Sequence, residues 1–162
     1  MKESIGLKGK FQLQHIRNNE VINTIDFNNG ITNAGKNKIL DVMFNSGTQI
    51  TAWYIGLIDT SSYSALASND TISSHSGWIE FTGYSDTTRR QWVSDNAISQ
   101  STKNTTPATF NINTTGSITG IFVNSDSAKS GTSGTLWSTA TFDSSITVTS
   151  GDQIKIIYTV FA

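Results

Sequence analysis

The sequence predicts an all-β fold, a jelly-roll or β-sandwich, with one short helix near the N-terminus. Three observations carry that expectation. The chain opens on period-two alternation, with Phe11, Leu13 and His15 on one side and Gln12 and Gln14 on the other, the pattern of a half-buried strand. From Thr51 onward, short apolar runs alternate with clusters of Ser, Thr, Asn and Gly, the punctuation of many short strands. Only one segment, 33–45, has helical spacing.

Taken in order, Lys10 to Ile16 reads as the first strand, Arg17-Asn18-Asn19-Glu20 as a turn, and Val21 to Phe27 as the returning strand. Together they predict an N-terminal hairpin over about 8–28, closed by Asn28-Asn29-Gly30. Thr32 or Asn33 can cap the helix, Lys36, Ile39, Leu40 and Met43 share a face, and Gly47 supplies the stop. Thr51 to Asp59 is mostly apolar, as a strand buried on both faces would be. Thr60 to Gly77 then reads as a long polar loop, a length that in a compact domain is often functional or docked. Strands are expected at Trp78–Tyr84, Arg90–Val93, Ala108–Ile112, Ser117–Val123, Thr135–Phe142, Ile146–Val148 and Asp152–Phe161. In the last of these Ile154, Ile156, Tyr158 and Val160 share a face. With no repeat of fixed period and no Pro-rich linker, the 162 residues are expected to form a single domain, 1–162.

Composition narrows the function classes. Charged residues make up only 14%, the net charge is −1, and aromatic residues reach 10%, so neither disorder nor broad attraction to nucleic acid or anionic membrane is expected. No cysteine is present, which removes disulfides and thiolate metal sites. No apolar run approaches the ~20 residues that span a bilayer. The start, Met1-Lys2-Glu3-Ser4-Ile5-Gly6-Leu7-Lys8, lacks the apolar core of a signal peptide, so synthesis in a cytoplasm without export is the expectation.

Catalytic chemistry finds little footing. The two histidines are His15, on a strand face, and His75, within Ser73-Ser74-His75-Ser76. Sequence neighbours seldom form a nucleophile-base pair, and two isolated histidines cannot build a cupin-like metal site. Glu80 and Asp86 flank a strand without a fixed separation, and Asp59, Asp70, Asp126 and Asp152 match no EF-hand spacing. The expectation is a non-enzyme without cofactor or metal. Most of Trp53, Trp78, Trp92 and Trp137 belong in the core, but Arg89-Arg90-Gln91-Trp92 lies in a polar neighbourhood. Trp and Arg are enriched at binding hot spots, which makes Arg89, Arg90 and Trp92 the candidate partner interface, against a bland alternative of an inward Trp and solvated arginines.

Several stretches carry a family resemblance. They are Gly35-Lys36-Asn37, Trp53-Tyr54-Ile55-Gly56-Leu57-Ile58, the run Asp70-Thr71-Ile72-Ser73-Ser74-His75-Ser76-Gly77-Trp78, Gly120-Ile121-Phe122-Val123, Gly134-Thr135-Leu136-Trp137 and Gly151-Asp152-Gln153-Ile154. In these the chain resembles a family of small tailed-phage virion proteins that act as capsid cement or decoration proteins with a jelly-roll fold. The resemblance implies a homodimer or homotrimer on the capsid exterior, bridging subunits of the major capsid protein, with no nucleic-acid or membrane partner. It also implies that His75 and Trp78 are fold determinants. The alternative is a tail, head-to-tail or fibre component with a carbohydrate- or receptor-binding role, in which Tyr54, Tyr63, Trp92 or Trp137 could stack on sugars. Such a sugar binder should show at least two aromatics on one exposed face.

Overall fold

A computed structural model describes residues 6–162; the leader question raised by Met1 to Ile5 lies outside the described residues. Two antiparallel sheets pack face to face as a β-sandwich. The first sheet is built on β1 (Lys8–Arg17), which pairs with β2 (Glu20–Asn28) on one side and β11 (Gln153–Phe161) on the other. Asn18 and Asn19 both take positive φ, 52° and 65°, so the hairpin turns through the two-residue geometry whose twist matches its strands. The free side of β11 is shared by β8 (Ala108–Asn111) along its first half and β7 (Ser101–Lys103) at its end.

The second sheet runs β3 (Gly30–Ile31), β10 (Leu136–Val148), β9 (Gly116–Asn124) and β4 (Trp53–Asp59). Its outer edge is likewise split, with β5 (Glu80–Phe81) and β6 (Arg90–Trp92) pairing opposite ends of β4. Between the sheets lies a core that includes Phe11, Leu13, Leu57, Phe110, Ile121, Val123, Ile154, Ile156 and Tyr158, all fully buried.

A second, smaller core sits on the outer face of this sheet. There Ile58, Phe122 and Leu136 meet Ile72 and Trp78, with Tyr63 and Leu66 packed at the side. The long 60–79 connection is therefore a third layer, and this is why β9 is buried on both faces. Within it, the Trp78 indole N–H donates to Asp70 (3.0 Å), and the His75 ring stacks on Trp78 at 3.7 Å.

Helix α1 (Asn33–Phe44) crosses the end of the second sheet. The Thr32 hydroxyl accepts from the Gly35 N–H at 3.0 Å, capping it, and Asn45 and Gly47 both donate to the Asp41 carbonyl at its end.

Several element boundaries differ from expectation. The strand expected over Trp78–Tyr84 shrinks to Glu80–Phe81, because Tyr84 N–H turns back to the Thr82 carbonyl. The two strands expected at 135–142 and 146–148 are one, β10, interrupted by a bulge rather than a loop. The short β3 and β7 carry too few residues to show periodicity in the sequence.

Candidate functional site

The three residues singled out as a partner interface go to different places. Arg89 is 2% exposed, which corrects its placement on the surface. Its Nε and Nη2 form a bidentate pair with Glu80 at 3.1 and 2.8 Å, and Nη1 and Nη2 donate to the Asp126 and Gly131 carbonyls. The guanidinium also lies 5.0 Å from the Phe122 ring centroid. Arg89 thus pins the 125–134 loop to the sandwich, an internal use that a bidentate fork suits and a surface contact would forgo. Arg90 is half-buried and pairs with Asp86 at 2.7 Å. Trp92 is half-buried too, with its indole N–H reaching Asn104 Oδ1 (3.1 Å) and the Tyr158 carbonyl (3.0 Å).

Trp92 nevertheless borders a strongly apolar open surface. Two hollows of about 210 and 290 Å³ adjoin there, sharing Ile39, Trp53 and Trp137. Val42 and Met43 of α1 line one, and Trp92, Val160 and Leu7 line the other. Beside them α1 presents Leu40, Met43 and Phe44 to solvent, at 55, 67 and 81% exposure. The helix leaves these side chains outside because its contact with the body is narrow: Gly35 is its only buried residue, and a Cβ there would stand 2.7 Å from the Trp137 carbonyl oxygen. Soluble monomers rarely leave contiguous large apolar side chains uncovered, so this face fits contact with another protein surface. It offers almost no hydrogen-bonding groups, which makes it a poor sugar platform despite its three tryptophans. None of the four tryptophans is fully exposed, and the two-aromatic exposed face expected of a stacking lectin is not formed by them.

A second constellation was not anticipated. His15 Nε2 lies 2.7 Å from Asp152 Oδ2, and Arg17 donates to both oxygens of the same carboxylate at 2.8 and 2.7 Å. Thr149 adds its backbone N–H (2.9 Å) and its hydroxyl (3.2 Å). The local chain explains how: Thr149 to Asp152 form a tight turn in which Gly151 takes φ +98°, swinging the Asp152 side chain back over Thr149. Arg17's hydrogen bonds hold the Asp152 carboxyl well below the usual carboxylate range, with Thr149 and His15 acting in the same direction against the opposing effect of burial. The available signal was His15 itself, a titratable ring at an inward position of an otherwise apolar row.

Tyr158 organises the adjoining interior. Its hydroxyl accepts from Asn29 and from the Trp137 indole, both at 2.7 Å, and burial pushes the phenol up to about 12. Among the described residues no group of three or more His, Cys, Asp or Glu side chains could hold a metal ion, and no helix is long and apolar enough to cross a membrane.

Comparison with known families decides the class of protein. A family model described as podophage GP4 fiber I protein gp80 matches residues 30–159, most of the chain. The chain belongs to this phage fibre-protein family. It is a bacteriophage structural protein of the virion, and the match favours a fibre over the capsid exterior. No curated protein matches the chain.

Proposed function

We propose that this chain is a non-enzymatic building block of a phage fibre that assembles with copies of itself through the face formed by α1, Trp53, Trp92 and Trp137. The family supports the fibre role, and the observation that carries the assembly is the uncovered apolar surface, with Phe44 at 81% exposure beside Leu40 and Met43. Self-contact is the economical solution for a fibre, since identical subunits repeat one patch under a closed symmetry and bury it in every copy. The partner in this reading is a second copy of the chain rather than the major capsid protein. Low charge serves the same end, because few ions need be desolvated when the surfaces meet.

Sedimentation velocity tests the proposal. The wild-type chain is expected to sediment as a dimer or trimer. The double substitution Met43→Asp, Phe44→Asp should weaken the association by about a hundredfold or more, since each copy would bury unpaired carboxylates. Both side chains are exposed, so the circular dichroism of the variant should match the wild type. A wild-type chain that stays monomeric at high micromolar concentration, or a variant that assembles as well as the wild type, would overturn this reading.

A further inference from the structure

The two sheets part along one edge, between β2 and β10, leaving a cleft of about 540 Å³. One wall is the inner face of the first sheet. Register places Phe11, Leu13 and His15 of β1 opposite Phe27, Ile25 and Asn23 of β2, so an apolar row ends in a polar pair where the sheets separate. At its apolar end the cleft is closed by Phe27, which meets Phe142 edge-on at 4.9 Å.

The other wall comes from the bulge in β10. Between the pairs Thr141–Gly120 and Ile146–Ile118, β10 carries Phe142, Asp143, Ser144 and Ser145 while β9 carries Thr119 alone. The extra chain cannot pair in the ladder, and it presents Asp143, Ser144 and Ser145 exposed at the rim. Bulges placed beside sites serve to re-aim side chains in this way. The floor is rigid, because His15 is tied to Asp152 and Arg17 commits two nitrogens to that carboxylate while 38% of its side chain faces out.

We infer that this cleft binds a neutral saccharide. Its volume falls within the range of small-ligand pockets, roughly 300–1,000 Å³, enough for one or two sugar rings. Ser144, Ser145, Asn23 and Asp143 all line the cleft, so it carries both donors and acceptors, the chemistry that sugar hydroxyls require. Ile22, half exposed, and the edge of Phe27 supply apolar surface for the C–H face of a ring. Charge selects against an anionic sugar: Asp143 stands at the rim with no ion-pair partner among the described residues, Asp26 is paired with Lys10 at 3.3 Å, and Arg17 is already matched by Asp152. The inference deepens the fibre reading, which it needs only to explain why a saccharide would be met, since the cleft's chemistry does not involve the assembly face.

The test is a titration of the assembled wild-type protein, followed by amide chemical shifts. The probes are glucose, galactose, mannose and N-acetylglucosamine at millimolar concentrations, with sialic acid as the anionic comparison. At least one neutral sugar should shift the amides of Asn23, Asp26 and 143–147 and saturate, while sialic acid should not. Asp143→Ala and Ser144→Ala, both at exposed positions, should each weaken that binding tenfold or more with unchanged melting. Shifts absent from the cleft with every neutral sugar, shifts located elsewhere, or preference for sialic acid would overturn the inference. A chain that assembles but leaves the cleft unperturbed sinks the cleft alone; one that binds sugar as a monomer sinks the assembly alone.

Discussion

At the scale of residues, the molecule relies on a few charged groups taken inside and matched. Asp152 is 2% exposed and accepts from Arg17, His15 and Thr149, residues brought together across as many as 137 positions of chain. Because its folded pKa is depressed, the site's contribution is present above the unfolded carboxyl value of about 4 and is lost as pH falls through the folded value. Asp152→Asn should therefore cost about 3 kcal/mol at neutral pH, at the low end for unpairing a buried ion because Arg17 reaches solvent. The difference from wild type should narrow as pH drops below about 4. Urea unfolding at neutral and strongly acid pH checks this, and a gap that stays constant would mean the carboxylate's charge is irrelevant. Such pairings were illegible in the sequence for a plain reason. Strand alternation marks His15 as inward but says nothing of which acid, a whole chain length away, will meet it. Arg89 was missed likewise: only the fold shows that Glu80 waits beneath it, while the adjacent Arg90 remains half-buried against Asp86.

At the scale of elements, legibility follows length. The first strand's alternation maps directly onto burial, with Phe11 and Leu13 at 0% and Gln12 outside, because period two is enforced by the pleat, whereas the first half of β2 is exposed on both faces. The 60–77 loop was readable as unusual but not as a layer, since its anchors Ile72 and Trp78 are too sparse to form a period. That layer depends on Gly56. A Cβ at this position of β4 would lie 2.2 Å from the Phe122 ring, whose other contacts include Trp78 at 5.0 Å and the Arg89 guanidinium. Gly56→Ala must push the ring outward into the 60–79 segment. The expected cost is about 1–3 kcal/mol, the range for overpacking a filled core. A melting experiment should show Tm lowered by several degrees, with amide exchange accelerated first in 60–79. Unchanged melting would mean that Phe122 has room the packing does not reveal.

At the scale of the whole molecule, two surfaces with different chemistry share one sandwich. The edge cleft mixes polar and apolar groups over a floor held by the Arg17–Asp152–His15 pairing, and the α1 face is apolar and open. The sequence hinted at the second through Leu40 and Met43 on one helical face, but it could not show that the body covers so little of that helix. The difference makes a thermodynamic prediction for assembly. Contact through Leu40, Met43, Phe44 and the tryptophan hollows removes apolar surface from water, so association should carry a negative heat-capacity change. It should also be little weakened by sodium chloride, because the groups involved carry few charges to screen. Dilution calorimetry of the oligomer at several temperatures and two salt concentrations reads both quantities. A heat-capacity change near zero together with dissociation in salt would place the copies against each other through charged side chains. The apolar face would then be left for a different protein of the virion, one that covers α1 as the fibre is joined to its neighbours.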